Sequence, residues 1–430
     1  MSRTAYRRRA APLLLIAAGV LLVRRVRSRI AYRRRAAPLL LIIAGVLLVS
    51  GCGPQVKGPP SAVESPQLLP LETLPTVNPQ QAALGRVLFF DPRLSGDGQR
   101  SCADCHRPER GWSGDGETSW RVAPGLLPVT HYRAWNADGS ATSLEQQIAH
   151  HAHDALVLNS HDPLLEARLA LLPGYRELFS AAFGTSSRPS AAQSWEALAA
   201  FSRSLARADS PLDRYLRGER SALDRQQVQG MQLFQGKAGC SHCHHGPLLS
   251  DQRYHVTAVP TAELWRLEAE EQIRYRYRLR RAGVANTALP STRSDPGRWL
   301  VSGRETERGA FRTPSLRELT HTAPYMRNGA FTTLEQVIAF YDRGGSDPDG
   351  RPSLHLERRS QLLRPLGLSA AEQQALVAFL HTSSGPPVRS SPPQLPQAPA
   401  AAPPREPPPP AVEQRSVREL LAPPPWLQQE

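Results

Sequence analysis

Five cysteines occur in the 430 residues, and four of them fall into two copies of one short pattern, Cys102-Ala-Asp-Cys105-His106 and Cys240-Ser-His-Cys243-His244. The C-x-x-C-H spacing has a chemical reason. Two thiols add across the two vinyl groups of a haem, and the next residue swings its imidazole under the iron as proximal ligand. C-x-x-C by itself also serves zinc sites and thioredoxin-like dithiols. A dithiol has no need of the following histidine, and both copies carry one. A zinc ribbon or finger is also far more compact than two motifs set 138 residues apart (240 − 102). The pattern predicts two covalently bound c-type haems, one on Cys102 and Cys105 and one on Cys240 and Cys243, with His106 and His244 on the irons. Once both are attached only Cys52 is left, so no disulfide can close within one chain.

The formal net charge of +14 suggests a nucleic-acid partner, but the charge is in the wrong place for one. Residues 1–51 carry 11 Arg and no Lys, Asp or Glu, which leaves +14 − 11 = +3 for the remainder. No basic stripe with interleaved aromatics is present, and no nucleic-acid partner is expected. Within residues 1–51 the stretch Ala5–Val23 recurs almost verbatim as Ala31–Val49. Each copy is a basic segment followed by an apolar run too short to span a bilayer comfortably, the pattern of an export signal. The second copy ends Ser50-Gly51-Cys52, which resembles a bacterial lipobox. The alternative is a plain secretory signal with an incidental cysteine; small residues directly before the one spare thiol favour acylation of Cys52. The expected location is the periplasm or cell envelope, anchored to a membrane by lipid, which suits a haem type attached outside the cytoplasm.

Residues 52–80 read as an extended tether, and 386–430, with 15 Pro in 45 residues, as a disordered or polyproline tail. Between them the signals are helical. Ser190-x-x-Gln193, Thr332-x-x-Glu335 and Ser369-x-x-Glu372 each open an apolar run at helical spacing. A weak repeat precedes the haem motifs: Gly85-Arg-Val-Leu-Phe89 before the first and Gly230-Met-Gln-Leu-Phe234 before the second. The fold expected is mainly α, in two cytochrome-c-like domains with one c-type haem each, at 81–210 and 211–385.

At this point the chain resembles the bacterial dihaem cytochrome c peroxidases and their relative MauG, over roughly residues 79–383. The resemblance rests on Leu84–Pro92, Asp209–Tyr215, Leu233–His244, Phe311–Arg317, Thr322–Gly329 and Tyr341–Gly345. It implies that the N-terminal haem meets hydrogen peroxide and the C-terminal haem takes in electrons from a small cytochrome c or a cupredoxin. Matching Asp138-Gly139 and Ser143-Leu-Glu-Gln to the family motif gives Glu145 the proton-handling role in O–O cleavage. A carboxyl in an apolar haem pocket would have a raised pKa suited to that task; a solvent-facing glutamate at a helix start is the other reading. The loop 107–130 lacks the histidine that closes the first iron in typical peroxidases, so an open first haem is expected, with His131, His150, His151 and His153 as substitute ligands. Trp120 and Trp135 are the candidates for the family's inter-haem tryptophan.

At the second haem the family's ligand methionine is replaced by Tyr341, the position of a tyrosine ligand in MauG; a buried, hydrogen-bonded tyrosine is the competing reading. The resemblance also implies calcium at the domain junction on carbonyls of Thr322 and Pro324, although the usual asparagine ligand is Val122 here. Three functions follow from these readings. The first is a peroxidase reducing hydrogen peroxide to water. The others are MauG-like oxidative modification of a partner protein, and a dihaem electron carrier without peroxidase activity.

Overall fold

The computed structural model describes residues 66–72, 74–115, 121–184, 188–260, 269–281, 283–285, 295–347, 349–350, 356–388 and 390–397. The signal segment with Cys52, and Trp120, lie outside them. In chain order the helices are α1 (Pro79–Phe90), α2 (Leu144–His153), α3 (Asp162–Ala170), α4 (Pro173–Phe183), α5 (Ala191–Ser204), α6 (Pro211–Leu216), α7 (Arg225–Gln235), α8 (Ala269–Arg281), α9 (Trp299–Ser302), α10 (Leu334–Asp342) and α11 (Ala370–His381). Long loops and short 3-10 turns join them. The described strands are β1 (Tyr254–His255) and β2 (Phe311–Arg312), antiparallel with Tyr254 opposite Arg312.

Two helix crossings organise this unit, and each is built on a glycine of the repeat. At Gly85 on α1 a Cβ would overlap the Ala197 carbonyl of α5; at Gly230 on α7 it would overlap the Ala375 carbonyl of α11. Only glycine permits such close backbone approach. Around the first crossing Leu84, Leu88, Phe89, Trp112, Leu198 and Phe201 form one buried core. Around the second, Leu212, Phe234, Leu376, Phe379 and Leu380 form another. Burying each large side chain contributes roughly 1.5–3 kcal/mol, so each crossing is fixed by its own apolar cluster. The described residues fall in one compact unit with these two cores in it.

The helix starts follow the capping chemistry. Ser190 Oγ accepts from the Gln193 N–H at 3.2 Å, and Ser369 and Glu372 cap each other reciprocally at 3.3 and 2.8 Å. At α10 the box sits one residue later than expected. Thr333 is the cap, and Gln336 rather than Glu335 closes it, because its Oε1 reaches both the Thr332 and Thr333 N–H groups.

A second internal repeat appears once the loops are compared. Trp135-Asn-Ala-Asp-Gly-Ser-Ala-Thr-Ser-Leu-Glu-Gln-Gln-Ile148 and Tyr325-Met-Arg-Asn-Gly-Ala-Phe-Thr-Thr-Leu-Glu-Gln-Val-Ile338 share one conformation. In each, the first residue bridges the seventh (Trp135 to Ala141, Tyr325 to Phe331), and the second has a left-handed φ, 62° at Asn136 and 67° at Met326. α2 and α10 follow at matching positions.

Both chain ends cross to the opposite core. The segment expected to be tether is packed from residue 66: Leu68 is buried in the second core, and the Gln67 carbonyl accepts from Gly246 N–H at 2.9 Å. The stretch expected to be free from 386 is packed as far as 397. Val388 lies on the first core, Arg86 donates to the Ser391 carbonyl at 2.6 Å, and Arg93 donates to the Pro396 carbonyl at 2.8 Å. Proline cannot donate to a ladder, but its carbonyl remains a good acceptor, and Arg93 uses that of Pro396.

Candidate functional site

Each C-x-x-C-H motif forms the same tight turn. His106 N–H bonds the Cys102 carbonyl and His244 N–H the Cys240 carbonyl, both at 2.9 Å. The turn brings each histidine back over its pair of cysteines. His106 Nδ1 lies 3.1 Å from the Trp112 carbonyl and His244 Nδ1 2.9 Å from the Leu249 carbonyl. A carbonyl only accepts, so Nδ1 carries the proton in both and Nε2 is left as the metal-binding lone pair. Trp112 and Leu249 both have left-handed φ, 61° and 52°, a conformation uncommon for bulky residues that aims their carbonyls at the imidazoles. Burial lowers the pKa of both histidines, His244 to about 4, which favours the neutral imidazole.

Both motifs line one cavity of about 800 Å³, with Cys102, Cys105, His106, Cys240, Cys243 and His244 all on its wall. Matching positions of the repeated helices line it, Leu144, Gln147, Ile148 and His151 from α2 and Leu334, Val337, Ile338 and Tyr341 from α10, with His150 and Ala152 of α2 beside them. The residues present fit haem. Beyond the two ligand turns and apolar walls, Arg312 lines the cavity with Nε and Nη1 buried and unpartnered, its guanidinium stacked 3.6 Å from the centre of the Tyr132 ring. An orphaned buried guanidinium calls for an anion, and haem propionates are anions. None of the four described cysteines is in a disulfide. Cys243, Asp251 and His255 converge as if for a metal. In a haem-attached chain the Cys243 sulfur is a thioether, which leaves an Asp251–His255 ion pair at 2.8 Å.

The other candidates are placed unevenly. Tyr341 is on the cavity wall; burial raises its pKa, and its hydroxyl has no hydrogen-bond partner among the described residues. Glu145 is not on that wall. It pairs with Arg203 at 2.6 Å, and burial, which pushes its pKa up, is outweighed by the Arg203 hydrogen bond and charge, so the pKa is lowered. The raised pKa expected for a carboxyl in an apolar pocket is therefore not found, because Arg203 on α5 supplies a partner that the local sequence did not reveal. His150 and His151 line the cavity while His131 and His153 do not, the latter being paired with Asp162 at 2.6 Å. Trp135 lines the first half, its indole N–H donating to the Val129 carbonyl at 3.2 Å.

The calcium position fits poorly. Thr322 and Pro324 line the cavity, but a Cβ at Gly329 would meet Val122 Cγ2 at 3.2 Å and Pro324 Cγ at 3.1 Å, an apolar contact. Arg327, whose carbonyl bonds Val122 N–H, stacks on Phe311 at 4.3 Å, with Arg121 5.9 Å from the same ring. A hard dication wants roughly six to eight oxygens, and a valine side chain at position 122 supplies none.

Comparison with known proteins agrees with this cavity. Residues 79–221 match the di-haem cytochrome c peroxidase family. The chain is 39% identical over 347 residues to the cytochrome-c peroxidase IdrP1 of Pseudomonas sp. (strain SCT), covering 77% of this chain and 89% of that one. It is 35% identical to the methylamine utilization protein MauG of Methylorubrum extorquens, covering 78% and 86%. Among solved structures, a MauG-like protein associated with microbial copper homeostasis superposes with a TM-score of 0.61 at 28% identity, covering 77% of this chain and 96% of that one. The chain belongs to the di-haem cytochrome c peroxidase and MauG family.

Proposed function

We propose that the chain is a peroxidase that reduces hydrogen peroxide to water with two electrons from a small cytochrome c or cupredoxin. The observation that carries this is the shared cavity, in which two C-x-x-C-H turns present two neutral imidazoles. When bound, the haems supply the redox chemistry, peroxide reduction at one iron and electron uptake at the other. His106 and His244 are the proximal ligands, each oriented by its carbonyl. Glu145 is held ionised by Arg203 and lies off the cavity wall, so its position does not support the proton-handling role that the family motif gives it. The two cores support one cytochrome-like domain on each side of residue 210. Export to the cell envelope and acylation of Cys52 complete the reading; among the described residues no helix is long and apolar enough to cross a membrane.

A MauG-like activity on a partner protein is the second reading, favoured by the unpartnered Tyr341 hydroxyl on the cavity wall. A phenolate on iron lowers its potential and favours high oxidation states. Peroxide added to the fully oxidised holoprotein, with and without a reduced small cytochrome, separates these. Prompt donor oxidation supports the peroxidase. A long-lived oxidised spectrum with little turnover supports the second reading, and Tyr341→Met should then abolish it. No spectral change, together with no azide binding, would leave only an electron carrier.

A further inference from the structure

We propose that His151 is a distal ligand of the first haem, closing its iron opposite His106 in the oxidised resting protein. The argument is one of matched positions and rests on the two-haem reading above. The repeat sets Leu144 against Leu334, Gln147 against Val337, Ile148 against Ile338 and His151 against Tyr341. All four pairs line the cavity, and α2 adds His150 and Ala152 to that face. The helix starts are held alike, Ser143 capping Gln146 N–H at 3.0 Å and Thr333 capping Gln336 N–H at 3.3 Å. Two helices with the same cap, preceding loop and cavity face place their eighth residues equivalently. At the second haem that residue is Tyr341, an oxygen donor; at the first it is an imidazole, a ready iron ligand at neutral pH.

The neighbouring histidines do not share the position. His150 also touches the cavity, but it matches Phe340, a fully buried core residue that does not line it, and is itself exposed. His153 lies beyond the matched face and holds Asp162. An imidazole from α2 thus does what the histidine-free loop 107–130 cannot, and peroxide must displace it to reach the first iron.

The test is electron paramagnetic resonance of the oxidised protein with two haems per chain, as counted by the haemochrome assay. We expect a low-spin first haem in the unaltered protein. His151→Ala should turn it high-spin and tighten azide binding by at least about tenfold, or ~1.4 kcal/mol, while His150→Ala leaves the spectrum unchanged. His151→Phe, which keeps the cavity filled, guards against collapse and should also give high-spin iron. A high-spin first haem in the unaltered protein, or a low-spin signal that survives both His151 variants, overturns the assignment. Failure to hold two haems would overturn the parent reading instead, which the haem count reveals independently.

Discussion

The ion pair between Asp213 and Arg317 ties the N-terminal strap to the second haem motif, and its loss should be expensive. Both side chains are almost wholly buried, 1% and 5% exposed, with Nη1 2.6 Å from Oδ2. Asp213 also accepts from Ser210 Oγ at 2.6 Å and from the Leu71 N–H at 2.9 Å. Arg317 donates to the Pro247 carbonyl at 2.9 Å, three residues past His244, and to the Leu69 carbonyl at 3.3 Å. Burial alone would raise the Asp213 pKa, but the Arg317 charge and these donors hold it below the ordinary value. A depressed carboxylate contributes stability above its unfolded pKa and loses it as pH falls through the folded one. Asp213→Asn keeps the shape and removes the charge, leaving Arg317 buried and uncompensated, which costs about 3–5 kcal/mol. At about 2 °C per kcal/mol for a large domain, the melting temperature should fall by roughly 6–10 °C. Melting of the holoprotein at pH 7, followed at the Soret band and in the far ultraviolet, reads this directly. Arg317→Met combined with Asp213→Asn should be less damaging than the two single changes added, by at least about 0.5 kcal/mol. A single variant that melts with the parent, or a double variant that is simply additive, would refute the pair as the anchor of the strap.

Three further outcomes are expected. Gly85→Val and Gly230→Val each force a side chain into a carbonyl across a helix crossing, and each should cost at least about 1–3 kcal/mol in urea melts; a neutral result at either would show that crossing to be loose. Chelation of divalent cations should leave the melting temperature unchanged, since a site filled at a hundred times its dissociation constant would add about 2.7 kcal/mol, and Val122 offers no oxygen in place of the usual asparagine. His255 is pushed up to about 10, first by Asp251 and next by Cys243, the second cause lapsing once that sulfur is a thioether. A raised histidine pKa stabilises below the unfolded value of 6.5 and stops doing so as pH rises through the folded one. His255→Gln should therefore lower the melting temperature at pH 6 and have no effect above pH 10; an equal loss at both would mean that packing, not charge, is at stake.

The haem motifs were legible because their chemistry is local: five residues fix two thioethers and a ligand, and the turn they form needs nothing from elsewhere. Gly85 and Gly230 were visible as a repeat, though not as helix crossings, since the carbonyls they clear belong to residues more than 100 positions away. The repeat joining Trp135–Ile148 to Tyr325–Ile338 is present in the sequence but faint, because its shared residues are few: a glycine, a threonine, a Leu-Glu-Gln run and an isoleucine. Glu145 shows the opposite failure. Its motif does not include Arg203, and that one cation reverses the direction expected for its pKa. Composition misled at the ends. Proline-rich stretches were read as free, yet Arg86, Arg93 and Arg317 bind the carbonyls of residues 391, 396 and 69, contacts between segments distant in sequence.

The near-equivalence of the two halves sharpens the functional question. Ligand turns, orienting carbonyls in left-handed residues, glycine crossings and capped distal helices all recur, so the scaffold gives each iron the same frame. Whatever makes one haem meet peroxide and the other accept electrons must then lie in the residues that differ inside that frame. On the proximal side both histidines have a carbonyl partner, at 3.1 and 2.9 Å, which leaves little to separate them. On the distal face three of the four matched positions are apolar or carry an uncharged amide: Leu144 and Leu334, Ile148 and Ile338, Gln147 and Val337. The fourth pair, His151 and Tyr341, sets an imidazole against a phenol, the kind of difference in axial donor by which a protein shifts iron potential most directly. If both residues ligate, an exchangeable neutral imidazole would leave room for peroxide at the first iron, whereas a phenolate would hold a high charge on the second. On the proposed assignment the difference between the two haems would then be concentrated in one residue per helix, and exchanging those two side chains should exchange the spectra of the two irons.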